Sequence, residues 1–176
     1  TYTKFKEPHF HYTNRILDVS KHTKINGYWQ SELYFKDYAH EIKKIFSFSR
    51  KLNEKNSLIA NEVKKSNSIS IHIRRGDYLL PNNTKHNTDL KNYYLKAIES
   101  TSKLFTNPKY FIFTDDPSWV TKNFTLNYSF KIVDINHGDE SFFDMYLMSL
   151  CKSNIIANSS FSWWGAWLNN SKDKVV

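Results

Sequence analysis

Two adjacent guanidinium groups, Arg74 and Arg75, stand at the end of an alternating apolar run, Ile69-Ser70-Ile71-His72-Ile73. Guanidinium offers a planar fork of N–H donors that matches phosphate oxygens. Gly76 follows as a turn residue, then Asp77 and Tyr78. On an extended path Arg74 shares a face with His72 and Arg75 points the other way. One arginine is therefore expected on a ligand, the other bracing the loop through Asp77. Two further stretches carry polar groups where a strand should stop: Asp115-Asp116 and Asn158-Ser159-Ser160. Ser159 and Ser160 stand before a helical stretch, whose free first-turn amides and dipole favour an anion, although serine there also serves as a plain cap. The carboxylates suit a ribose hydroxyl or base N–H groups. They equally suit capping of the helix that Pro117 opens. Together these groups describe a clamp for a nucleoside diphosphate without a glycine-rich phosphate loop, in a chain with only four glycines. A diphosphate so held is a leaving group whose developing charge is stabilised, which suits group transfer from a nucleotide-activated donor.

The elements that must position these groups are legible as an alternation of strands and helices from residue 69 onward. Ile69–Ile73, Tyr110–Phe113, Phe130–Val133 and Asn154–Ala157 read as strands, and Lys174–Val176 as the start of a fifth. Between them, a helix capped by Asp89 carries Leu90, Tyr93, Tyr94, Ala97 and Ile98 on one face. Shorter helices run from Pro117 to about Asn123, over Glu140–Leu150, and from Ser159-Ser160 to Trp167 or Leu168. The loop after Gly76 centres on Pro81-Asn82-Asn83. This alternation predicts an α/β fold, a Rossmann-like parallel sheet with flanking helices. Parallel strands share their carboxyl edge, so the three polar strand ends should lie on one rim. Upstream, Thr1–Lys24 has no clear period, Gly27–Gln30 reads as a loop, and Glu32–Phe46 and Leu52–Lys65 read as helices. The expected division is a linking helical segment over residues 1–67 and the Rossmann-like domain over 68–176.

The formal charge is +8 over 176 residues, which favours an anionic partner. The lysines are dispersed rather than gathered in one run, which argues against nucleic acid. No stretch approaches the roughly 20 apolar residues of a membrane span, and no signal peptide is visible. The single cysteine, Cys151, ends an apolar helical pattern and reads as a buried, inert thiol. His9, His11 and His22 are scattered, no Cys/His cluster has zinc spacing, and the aspartate pair lacks a third ligand, so no metal is expected.

At this point the motifs themselves are recognisable. His72-Ile73-Arg74-Arg75-Gly76-Asp77-Tyr78 resembles the first motif of the α-1,2-fucosyltransferases, glycosyltransferase family 11. Phe111-Ile112-Phe113-Thr114-Asp115-Asp116-Pro117 is similar to a second block of that family. Asp144-Met145, Leu147-Met148-Ser149, Cys151-Lys152 and the long run Ile156–Leu168, Ile-Ala-Asn-Ser-Ser-Phe-Ser-Trp-Trp-Gly-Ala-Trp-Leu, resemble a third. Gly27-Tyr28-Trp29-Gln30 and Tyr34-Phe35 are similar to its middle section.

The resemblance implies the C-terminal half of a GT-B-type, metal-independent, inverting enzyme that moves L-fucose from GDP-L-fucose to the 2-hydroxyl of a terminal galactose. It assigns the diphosphate to Arg74 first and Arg75 second. It brings His72 and Asp115 or Asp116 to the guanosine, and Asn158, Ser159, Ser160 and Phe161 to the phosphate and base pocket. Arg74 and Asp77 are the implied catalytic residues, Asp77 also ordering the loop. The acceptor hydroxyl must lose a proton during attack, and Asp77, His137 and Asp139 are the weak candidates for taking it.

The family's Gly-Gly-Leu-Gly-Asn-Gln opening segment and its N-terminal half are missing, and Thr1 opens without a methionine, as in a piece of a longer protein. The alternative function is thus a GDP-binding module without transfer activity. The expected partners are GDP-fucose and a galactose-terminated glycan, with no nucleic acid. In a bacterium the expected place is the cytoplasm or the cytoplasmic face of the membrane, with peripheral association.

Overall fold

The computed structural model describes residues 2–81 and 90–176. The expected cap Asp89 and the loop residues Asn82 and Asn83 lie outside these. Contacts divide the chain into two compact units, Thr1–Ser47 and Phe48–Val176.

The first unit holds a short parallel pair, β1 (Thr3–Lys6) and β2 (Thr23–Asn26), in a stretch whose sequence shows no period. Glu7 pins the following loop: its carboxylate accepts from the backbone N–H of Tyr28 at 2.6 Å and of Trp29 at 3.2 Å. The expected helix over Glu32–Phe46 is broken. Glu32–Tyr34 and Lys36–Tyr38 are 3₁₀ turns, and only α1 (Ala39–Ile45) is α-helical. The reason lies at Tyr34. Its ring packs against Tyr12 and Trp29, and its hydroxyl accepts from Thr13 N–H at 3.1 Å. These contacts tie the first turn to the loops rather than to the helix axis.

The second unit is an α/β fold, a four-stranded, all-parallel sheet in the order β5-β4-β3-β6. The elements run α2 (Glu54–Lys64), β3 (Asn67–Ile73), α3 (Lys91–Ser102), β4 (Pro108–Thr114), α4 (Pro117–Asn123), β5 (Ser129–Val133), α5 (Phe142–Ser149), β6 (Ser153–Ile155) and α6 (Ser160–Leu168). The alternation in β3 separates two buried faces. Ile69, Ile71 and Ile73 join Tyr110 and Ile112 of β4 beneath Tyr94 and Ile98 of α3 and Val120 of α4. On the other face Phe111, Phe113 and Val133 meet Ile59, Ala60 and Val63 of α2 and Leu147 and Met148 of α5. Each fully buried Val, Leu, Ile, Phe or Met side chain among these contributes about 1.5–3 kcal/mol. The helix α2 is thus part of the sheet's own core.

Cys151 sits in that second face, buried, and burial pushes its thiol up to about 12, which fits an inert side chain. Lys174–Val176 does not form the expected fifth strand: Val175 meets β6 through its C=O, which accepts from Asn154 N–H at 3.0 Å, and through its N–H, which donates to the Ser153 hydroxyl at 3.0 Å, without a ladder. Among the described residues, no helix is long and apolar enough to cross a membrane.

Candidate functional site

The register of the sheet builds the site. Ile73 pairs with Thr114, so the residues that follow, Arg74 and Asp115, leave the sheet side by side. Asp115 then gathers the turn. Its Oδ1 accepts from Arg75 N–H at 2.9 Å, and its Oδ2 accepts from Gly76 N–H at 3.1 Å and from Arg74 Nη1 at 2.8 Å. Arg74 Nη2 reaches Asp77 Oδ1 at 2.7 Å. Asp77 therefore braces Arg74, the cavity-facing arginine, rather than its neighbour.

Arg75 turns away, as its place on the opposite face of the strand dictates. Its guanidinium lies 3.9 Å above the Trp119 ring and its Nε is 3.2 Å from Asp116 Oδ2. Asp116 caps α4 through Trp119 N–H at 2.9 Å. The two carboxylates thus organise backbone as well as charge: one anchors the arginine loop, the other starts a helix.

The end of β6 is held to the same rim by two phenols. Tyr78 donates to Asn158 C=O at 2.6 Å and Tyr93 to Ile156 C=O at 2.9 Å. Ser159 occupies the cap position of α6 but makes no side-chain capping bond, so the first-turn amides of that helix are left to other acceptors. Ser162 instead ties the turn together, accepting from Ala157 N–H at 3.2 Å.

A cavity of about 500 Å³ opens over this rim, a size that suits a nucleotide-sized ligand. His72, Arg74, Asp77, Asp115, Ser159 and Phe161 line it. Arg75, Asp116, Asn158 and Ser160 do not. His72 is buried against the Phe161 ring, 5.5 Å between centroids, and its Nδ1 has no hydrogen-bond partner among the described residues. Burial lowers its pKa to about 4, against an upward pull from Asp115, and the Arg74 charge adds a lesser lowering effect. It is a neutral imidazole at physiological pH.

His137 also lines the cavity, whereas Asp139 lies in the exposed 3₁₀ turn Gly138–Glu140 and does not. Among the described residues, no group of three or more His, Cys, Asp or Glu side chains is gathered to hold a metal ion.

The cavity also takes in groups that sequence reasoning missed, Asn136 beyond β5 and Asp144 in the first turn of α5. Asn136 donates to Asp144 Oδ1 at 2.7 Å and exchanges two bonds with Asn56, at 2.8 and 2.9 Å. Burial raises the Asp144 pKa to about 6, against the lowering effects of Asn136 and His137. The rule that located the other strand ends also covered Asn136, since it lies past the carboxyl end of β5. Asp144 was disguised by its setting in an otherwise apolar helix.

Arginine, open helix amides and a neutral histidine on one side of a cavity, with a carboxylate and an amide on another, suit a nucleotide-bound substrate. The chain matches Glycosyl transferase family 11 over residues 2–176. It is 37% identical over 152 residues to the alpha-1,2-colitosyltransferase of Escherichia coli, covering 82% of this chain and 50% of that protein. An O-antigen biosynthesis glycosyltransferase of Escherichia coli is 42% identical over 113 residues, 63% of this chain and 37% of the relative. The mouse galactoside 2-alpha-L-fucosyltransferase Sec1 is 24% identical over 164 residues, 84% of this chain and 42% of its own length. The chain spans half the length or less of these relatives. No solved structure matches it significantly. With the family match running across the whole sheet and the cavity over its rim, the chain belongs to glycosyl transferase family 11.

Proposed function

We propose that this chain is the donor-binding part of a GT-B-type inverting enzyme that moves L-fucose from GDP-L-fucose to the 2-hydroxyl of a terminal galactose. The observation that carries the reading is the facing of Arg74 and the uncapped start of α6 onto one cavity. A diphosphate seated there meets guanidinium and backbone N–H donors together. As the sugar departs, negative charge grows on the β-phosphate, and donors already held in place stabilise it without reorganising. Asp77 and Asp115 supply that fixity by gripping Arg74 through separate nitrogens.

The relatives' names support the linkage and divide over the sugar. The mouse relative is named for 2-α-L-fucosyl transfer to galactosides, the bacterial one for α-1,2-colitosyl transfer. A colitosyl donor is the second reading, favoured by the higher identity of that relative, 37% against 24%. The acceptor is a galactose-terminated oligosaccharide or lipid-linked glycan, met at the cytoplasmic face of the membrane. The test is incubation with GDP-L-fucose or GDP-colitose and a panel of terminal galactosides, with the product linkage read by NMR. A 2-linked fucosyl product supports the first reading. A product from the colitosyl donor alone replaces it with the second. Transfer to another hydroxyl contradicts both, and transfer from neither donor by a chain that still binds GDP leaves the GDP-binding module without transfer activity.

A further inference from the structure

The sheet has a second rim, at the amino ends of its strands, and its charge is opposite to that of the first. Helices reach this rim just before each strand: α2 before β3, α3 before β4, α4 before β5 and α5 before β6. Lysines stand at these junctions. Lys64 and Lys65 close α2, Lys103 closes α3, Lys109 stands at the start of β4 and Lys152 directly precedes β6. Lys131 of β5 reaches toward the end of α2, its Nζ 2.6 Å from Glu62 Oε2. Topology thus gathers onto one rim lysines that the sequence disperses. Asp115, Asp116 and Asp134, which follow β4 and β5, stand at the other rim.

Two carboxylates temper the lysine rim. Glu62 serves both Lys109 and Lys131, at 2.5 and 2.6 Å, and Glu99 serves Lys103 at 2.8 Å. Among the described residues, Lys64, Lys65 and Lys152 are exposed and have no carboxylate at ion-pair distance. Lysine at a helix C-terminus is ordinary, because it answers the negative end of the dipole. That reason does not reach Lys109, Lys131 or Lys152, which lie outside the helices.

The same rim exposes apolar groups. Leu104, just past α3, is 58% exposed, and Tyr128, just before β5, is 37% exposed with its ring 5.8 Å from that of Tyr110. A nucleic-acid backbone would use the ammonium groups and leave Leu104 in water. An anionic bilayer uses both: its phosphates meet lysines, and its interfacial zone takes up leucine and tyrosine side chains.

We propose that the amino-end rim of the sheet docks this unit on an anionic lipid surface, with Lys64, Lys65 and Lys152 meeting headgroup phosphates and Leu104 and Tyr128 entering the interface. This goes beyond the donor reading and does not depend on it. The seven residues of β3 span roughly 23 Å, so a docked unit holds the cavity at about that height, turned away from the bilayer. A lipid-linked acceptor then meets the cavity with the outer end of its glycan.

The test is co-sedimentation of the full chain with vesicles of phosphatidylcholine alone, and of phosphatidylcholine with one third phosphatidylglycerol, at about 0.1 M and 0.5 M salt. Wild type should bind the anionic vesicles at least about tenfold tighter than the neutral ones and lose most of that preference in the higher salt. Each lysine at such a surface is worth about fivefold in affinity, so Lys64→Gln/Lys65→Gln/Lys152→Gln should lose about a hundredfold. Lys51→Gln/Lys55→Gln/Lys96→Gln makes the same change in charge away from the rim and should lose less than about threefold. Leu104→Ser should weaken binding by about fivefold. Melting temperatures close to that of wild type establish that the variants are folded.

Equal binding of wild type to neutral and anionic vesicles, or binding to neither, would overturn the inference without any variant. Equal losses in the two triple variants would overturn it by showing that net charge alone attracts the chain. Full binding by Leu104→Ser, with duplex DNA bound by wild type as tightly as the vesicles, would overturn it in favour of a polyanion site.

Discussion

Arg74 Nη1 lies 2.8 Å from Asp115 Oδ2, and the contact is a product of strand register. Because Ile73 pairs with Thr114, the two residues leave neighbouring strands at the same level. The partners of the cavity-facing arginine are thus chosen by the hydrophobic pattern of β3 and β4, since a one-residue slip would turn each strand's side chains to the opposite face.

Asp115→Ala removes the acceptor for Arg75 N–H and Gly76 N–H as well as the partner of Arg74. GDP affinity should fall by about tenfold through loss of loop order, and global stability by about 1–2 kcal/mol. Amide exchange at Arg75 and Gly76 should accelerate. Asp116→Ala should cost about 1 kcal/mol through the lost cap of α4, and leave exchange at Gly76 unchanged. NMR-detected exchange separates the two roles.

Gly76→Ala tests how closely the loop is fitted. A Cβ there would stand 2.8 Å from Asp115 Oδ2, the oxygen that already serves Gly76 N–H and Arg74. The carboxylate must shift, and Arg74 with it. The expected result is a loss of GDP affinity by about tenfold with a small change in melting temperature. Unchanged affinity would show that Arg74 does not depend on this anchor.

Arg75→Ala should chiefly affect stability. The side chain stacks on Trp119 and pairs with Asp116, contacts worth about 1–2 kcal/mol together. GDP affinity should stay within about threefold of wild type. A loss as large as that of Arg74→Ala would return the diphosphate to the second arginine.

His72 and Asp144 oppose each other in pH dependence. The folded pKa of His72 is depressed from 6.5 to about 4, so its stabilising contribution is present above 6.5 and is lost as pH falls toward 4. That of Asp144 is raised from 3.8 to about 6, so its contribution is present below 3.8 and is lost as pH rises through 6. Between about pH 4 and 6 the two slopes largely cancel. Asp144→Asn removes one of them. The variant should be more stable than wild type at pH 7.5, by on the order of 2 kcal/mol, and should lose stability more steeply on acidification. His72→Gln should show the reverse slope. His137 also acts on Asp144 and tempers its shift, whereas the Asp134 charge adds to it. Thermal melts across pH 4–8 check both signs.

Much of the fold was legible because its signals are local. Period-two isoleucines mark β3, a continuous apolar run marks β4, and Pro117 marks the first turn of α4. The arginine loop and the start of α6 were legible for the same reason. What stayed hidden depends on tertiary contacts. Nothing in the sequence around Tyr34 shows that its ring and hydroxyl will be claimed by distant loops and break a helix. Asp144 reads as one polar residue in an apolar helix until Asn136 and Asn56, far away in the chain, are brought against it. The jobs of Asp115 and Asp116 were likewise open, because both lie at the rim and only the register decides which one meets the loop.

The most direct test of the account is titration of the chain with GDP in chelator, for wild type and Arg74→Ala. Micromolar-range binding should fall by about tenfold to a hundredfold in the variant, the worth of one or two charge-assisted bonds to phosphate. Its thermal stability should change little, because the Arg74 side chain is 37% exposed and its ion pairs are screened. Equal GDP affinity in the two proteins, or no GDP binding by folded wild type, would contradict the assignment of this cavity to the donor diphosphate.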